Sequence, residues 1–325
     1  MTQRVSRAIV AAPSVAPPRR PPLVSPLDTM DEAGRRVLRL HLDRMIQCEP
    51  GTREGKDIEA VHDMRVATRR LRVACRVFGK ALGKNALAPF RDALRRVGVA
   101  LGAVRDFDVF IESVETFRRE HGGPGQDGFD MLLAHLRQER GLRRARLIRL
   151  LNSARYTGLT RRFPLWLDGA GNGLGPRTNA GQRSVRKAAP HLLDCRLSRV
   201  IAYRKRLDEE ASPETLHALR IACKRLRYTA EFFRDCYDGR LDGLIDRMVE
   251  LQDILGRFND AGVRVAYLTG YAGRLDRRSP RARRTERAAQ RLIEAERQAQ
   301  QDSLMQFWDI WEEVGVGLQG LHFEL

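Results

Sequence analysis

Two segments of the chain carry nearly the same set of cationic side chains at the same spacing. VHDMRVATRRLRVACRVF at 61–78 aligns without gaps to LHALRIACKRLRYTAEFF at 216–233, every position shifted by 155. His62 pairs with His217, Arg65 with Arg220, Arg69 with Lys224, Arg70 with Arg225 and Arg72 with Arg227. Arginine offers a planar fork that grips phosphate oxygens in pairs, where lysine is a point charge. The chemistry these types suggest is therefore anion capture. His62, Arg65, Arg69, Arg72 and Arg76 are spaced 3, 4, 3, 4. On a helix they stay within an arc of about 80° and form a stripe roughly 20 Å long. Met64, Ala67, Leu71, Cys75 and Phe78 make a separate apolar stripe, as do Leu219, Ala222, Leu226 and Phe233 in the second segment. Arg70 and Arg225 flank the cationic stripes.

Like charges stacked on one helix face destabilise it unless something neutralises them. The nearest carboxylates on the stripes are Asp63 and Glu231, and Glu231 stands where Arg76 stands in the first segment. A solvated face usually mixes signs, so a run repeated at matched positions reads better as a surface awaiting an anion. His62 and His217 head the stripes one turn in from the N-caps Asp57 and Ser212. A neutral imidazole can donate to a phosphate oxygen, and neighbouring arginines favour that form. Neither histidine has the paired spacing of a zinc site. His41, His121, His135, His191 and His322 have no comparable setting. A second repeat, LGAVRDFDV at 101–109 and LGRFNDAGV at 255–263, follows at an offset of 154. It places Asp106 and Asp260 at matched positions, where they could orient motif arginines from behind or cap helices. Gly102 and Gly256 would allow a close helix approach or a turn.

The elements that must position these residues read as helices. The two repeats, in the same order and at nearly equal offset, indicate a tandem duplication. Apolar residues recur at three and four positions from Leu27 onward, predicting helices near 30–48, 57–82, 85–119 and 128–153, then 182–209, 213–236, 241–272 and 283–314. The expected fold class is all-α: two tandem antiparallel four-helix bundles, 28–167 and 183–325, related by a pseudo-twofold axis. Residues 1–27, rich in proline and arginine, predict a disordered arm. The Gly-rich stretch 168–182 predicts a linker, because the preceding RRFPLWL is too short and isolated to supply the strand of a nucleotide-binding turn.

The chain has 325 residues, a net charge of +18 and an aromatic content of 6%. Such a charge attracts nucleic acid, anionic membrane or inorganic polyanion, although a GC-rich genome also enriches arginine. The placement of the arginines therefore carries more than their number. Five cysteines without a CxxC predict buried free thiols in a reducing compartment. The apolar run from Ala8 to Ala16 is short and broken by Pro13, unlike a signal peptide, and no run reaches a membrane span. The expected location is cytoplasmic.

These residues resemble the CHAD family, a histidine-containing α-helical domain. The resemblance rests on the two HxxRxxx(R/K)RLR segments and the two LGxx(R/N)D segments and covers roughly 28–320. It implies two antiparallel four-helix bundles around a basic cavity, and binding of inorganic polyphosphate, often at polyphosphate granules. Carried over by motif position, the binding residues are His62, Arg65, Arg69, Arg70 and Arg72, with His217, Arg220, Lys224, Arg225 and Arg227. Arg76 extends the first stripe. The triphosphate-tunnel domain to which family members are often fused needs an ExExK strand, which is not found, so its hydrolase function does not transfer. The expected protein is a binding module without cofactor or metal. Nucleic acid is the second reading; apart from Tyr228, the motif helices lack aromatics on which bases could stack. A phosphate-transferring or hydrolysing enzyme is the third. It lacks a GxxxxGK(S/T) loop, and only Asp106, Asp108 and Asp260 could gather magnesium.

Overall fold

Each major helix starts where the sequence supplies a cap. In the computed structural model, which describes residues 22–121, 127–169, 178–208, 211–276, 278–318 and 320–325, α1 (Met30–Gln47) opens on Thr29. The Thr29 hydroxyl accepts from the Glu32 amide while the Glu32 carboxylate accepts from the Thr29 amide, a complete capping box. A short helix, α2 (Glu49–Glu54), follows. The two motif helices are α3 (Ile58–Val77), capped by Asp57, and α8 (Pro213–Phe233), capped by Ser212 with Pro213 in the first turn. Between them lie α4 (Lys84–Glu120), α5 (Asp127–Leu151), α6 (Ala154–Asp168) and α7 (Val185–Ile201). The chain closes with α9 (Asp242–Ala272) and α10 (Pro280–Leu318). Among the described residues there is no strand, only an isolated antiparallel bridge between Thr29 and Ser184.

All eight expected helices are present, most with ends displaced by a few residues. Helix α3 stops at Val77 rather than 82, because the Phe78–Gly83 segment turns through Gly83 at φ +84°. Helix α6 was not expected. It occupies what reads as the approach to the linker, and buries Tyr156, Leu159, Phe163 and Leu167 at helical spacing behind a Ser153 cap. The expected arm ends earlier than residue 28: Val24 is fully buried, and the Leu23 amide donates to Asp235 at 2.9 Å. Residues 1–21 of that arm, and 170–177 of the expected linker, lie outside the described residues. Thr178 and Gly181 at the end of the linker are anchored, the first to the Ala81 carbonyl, the second accepting from the Asp31 amide.

The apolar cores cut across the duplication. In the larger cluster α1, α3 and the start of α4 merge with α7, α8 and the start of α9. Phe78 of α3's C-cap lies 5.8 Å from Phe233 and 6.1 Å from Phe232. The smaller cluster joins the far ends of α4 and α9 to α5 and α10, with Phe107 and Phe110 edge-on to Tyr267. Along α4 one cluster ends at Val104 and the other starts at Phe107; along α9 the corresponding break falls between Phe258 and Leu268. Those breaks carry Arg105, Asp106, Asn259 and Asp260, and the N-terminal ends of the motif helices meet them.

Candidate functional site

Burial of Met64, Leu71 and Cys75 on α3, and of Leu219, Cys223 and Leu226 on α8, fixes the rotation of both helices. Their cationic faces then turn toward each other and toward α4 and α9. Glycines on those partner helices leave room for the guanidiniums. A Cβ at Gly102 would sit 3.8 Å from Arg65 Nε, one at Gly256 3.3 Å from an Arg220 Nη, and one at Gly98 2.9 Å from an Arg72 Nη. The close approach that glycine allows is thus between an arginine and a helix, not between two helices. Gly98 carries the same role without a sequence signal.

At the centre lies Lys224. Burial and the charges of Arg220, Arg69, Arg65 and Arg227 push its ammonium down to about 7. Two of those arginines come from each motif helix, so both halves contribute to one cation cluster. Burial and the neighbours Arg65, Arg227 and Arg70 also lower Arg69, with Tyr228 opposing them. The Tyr228 ring is fully buried beneath three guanidiniums, those of Arg227, Arg69 and Arg70 at 4.6, 5.5 and 5.9 Å. It supports the cluster from below by cation–π contact and offers no face for a base to stack on.

The cluster is neutralised only in part among the described residues. Glu231 takes Arg70 at 3.0 Å and Arg227 at 3.2 Å, and Arg227 Nε also donates to Gln252 Oε1. Arg65 is 3.7 Å from Asp106. Among the described residues, Arg69, Arg72, Arg76, Arg220, Lys224 and Arg225 have no ion pair. Arg69 Nε, Arg220 Nε and His62 Nδ1 are buried without a hydrogen-bond partner. Buried polar atoms without a partner are uncommon in folded proteins, and here three fall within the motif, two of them guanidinium donors. Asp63, a nearest carboxylate by sequence, is exposed and holds none of the stripe.

Asp106 and Asp260 face one another at the mouth of the cluster. Desolvation, and secondarily the charge of Asp260, raise the Asp106 carboxyl above its usual range, while Arg65 opposes that rise. The two do different work. Asp106 meets Arg65, whereas Asp260 accepts from Asn259 Nδ2 at 3.1 Å, and Asn259 Oδ1 accepts from His217 Nδ1 at 2.9 Å. With Nδ1 committed as donor, His217 Nε2 donates to an anion only when the ring is protonated. Asp108 is not part of this group: it is buried and paired with Arg140. No cluster of three or more His, Cys, Asp or Glu side chains suited to a metal occurs among the described residues.

Arg72, Arg76 and Arg225 lead away from the centre. Burial lowers Arg72, with Arg95 adding to the effect; burial lowers Arg76, with Arg72, Arg225 and Arg91 adding to it. Of the five free cysteines, Cys75, Cys223 and Cys236 are buried as expected, Cys48 is half-buried, and Cys195 is exposed, because α7 buries only its other face.

The family model of the CHAD domain matches residues 36–269, and the chain belongs to that family. Among solved structures it is similar to the crystal structure of the CHAD domain from the plant Ricinus communis, at 25% identity and a TM-score of 0.71, over 92% of this chain and 94% of that one. It also has the fold of PptA from Streptomyces chartreusis, at 18% identity and a TM-score of 0.67, over 88% of this chain and all of the other. No curated protein sequence matches the chain. None of the described helices is long and apolar enough to cross a membrane.

Proposed function

We propose that this protein binds inorganic polyphosphate in the groove between α3 and α8, and acts as a binding module, not an enzyme. Such binding would hold it at polyphosphate granules. The observation that carries this reading is the convergence of Arg65, Arg69, Arg220 and Arg227 on Lys224, where Arg69, Arg220 and Lys224 have no carboxylate partner among the described residues. Like charges this close raise the energy of the folded state. A phosphate chain would lower it, supplying acceptors to Arg69 Nε and Arg220 Nε, and to His62 Nδ1 in the form that carries its proton there. Membership of the CHAD family supports the same ligand.

Replacing both Arg65 and Arg220 by alanine removes one cation from each motif helix without touching the apolar stripes. Affinity for long-chain polyphosphate, measured by calorimetry at moderate salt, should fall by more than about tenfold. A folded double variant that binds as tightly as the wild type contradicts the site. Nucleic acid fits less well, because the nearby aromatic ring is buried under arginines.

A further inference from the structure

The duplication gives contacts in one half twins in the other. Thr29 and Ser184, also 155 apart, bridge each other, and Arg69 lies against its own counterpart Lys224. The Arg70–Glu231 ion pair at 3.0 Å therefore has its twin in Arg225 and Arg76. In the twin the carboxylate is replaced, and two guanidiniums face each other. The asymmetry continues outward. Buried His41, beside Arg70, has its twin in Arg196, beside Arg225. Buried Ile245 has its twin, at the offset of 154, in Arg91. Arg70 and Arg225, and Arg44 and Arg199, keep the same charge in both halves.

One side of the molecule is thus closed by a glutamate, a buried histidine and an apolar residue. On the other, Arg76, Arg91, Arg196 and Arg199 line a cavity of about 560 Å³ between the end of α3, the start of α4 and α7, with Arg225 against it. None of these five has a carboxylate within ion-pair distance among the described residues. Arg72, packed over Gly98 and one turn along α3 from Arg69, lies beside Arg76 and so leads from the central cluster toward this cavity. At the opposite end of the groove, Asp106 and Asp260 repel an anion.

We infer that this cavity is a second, one-sided anion site, which takes the length of phosphate chain emerging from the α3–α8 groove. The inference rests on the polyphosphate reading of that groove. Five guanidiniums without counter-charge call for a ligand with several closely spaced negative charges, and one phosphate could engage only part of the set. A flexible phosphate chain meets that need and continues the path that Arg72 begins.

Cys195 lines the same cavity with an exposed thiol, and half-buried Cys48 lies elsewhere on α1's end. Alkylation by neutral iodoacetamide, followed by peptide mass spectrometry, reports occupancy directly. Saturating long-chain polyphosphate should slow modification of Cys195 several-fold and leave Cys48 unchanged. Arg196→Ala combined with Arg199→Ala should weaken long-chain binding by about tenfold and reduce the slope of log affinity on log salt by about 1.5. Tripolyphosphate, short enough for the groove alone, should bind that variant as it binds wild type. If the Arg65→Ala/Arg220→Ala protein loses binding while the cavity variant keeps it, and Cys195 stays unprotected, the second site is overturned and the groove stands. Wild-type protein that binds no polyphosphate overturns both.

Discussion

Lys224 is where anion binding and proton binding meet. Its ammonium is held at about 7 by burial and by Arg220 and Arg227 on its own helix and Arg69 and Arg65 on α3. A phosphate chain reverses that field and favours the charged form. Binding above pH 7 should therefore take up a proton, and affinity should decline as pH rises from 6 to 9. Lys224→Arg, charged throughout, should flatten that decline; calorimetry in buffers of different ionisation enthalpy measures both. The linkage to folding has the opposite sign. The folded value lies below the unfolded one of about 10.4, so the penalty is full below about 7 and fades as pH climbs between the two. The ligand-free wild type should gain thermal stability across that window relative to Lys224→Met. Equal pH profiles for wild type and variants would contradict the placement of Lys224.

At the scale of the element, the motif helices depend on their N-caps to hold the histidines. Asp57 accepts from the Glu59 amide and Ser212 from the Thr215 amide. Asp57→Ala or Ser212→Ala should each cost about 1 kcal/mol in chemical denaturation and loosen the turn that carries His62 or His217. No loss in either variant would contradict the capping assignment. Helix positions were legible in the sequence because apolar periodicity, caps and the repeat agreed on them. Helix α6 was not, since Pro164 and the neighbouring glycines masked the spacing of Tyr156, Leu159, Phe163 and Leu167. The cationic stripe was legible too, but its neutralisation was not. Glu231 reaches Arg70 from the other half of the chain, and Asn259 carries Asp260 to His217; these are tertiary contacts that no spacing encodes. Arg196 and Arg91 gave no signal because their repeat partners, His41 and Ile245, are not cations.

For the molecule as a whole, duplication did not yield two independent units. Phe78 packs on Phe232 and Phe233, and Phe107 on Tyr267, so each apolar cluster needs both halves. That shared packing holds α3 against α8 and keeps their cations together at an electrostatic cost. A net charge of +18 adds long-range attraction for any polyanion, so charge alone does not select the ligand; the groove must. The most direct test is a titration of the wild-type protein with long-chain polyphosphate and with RNA, at equal phosphate concentration and at two salt concentrations. Polyphosphate should bind much more tightly than RNA at both, with an affinity that falls steeply as salt rises. RNA binding that equals or displaces polyphosphate would contradict the account.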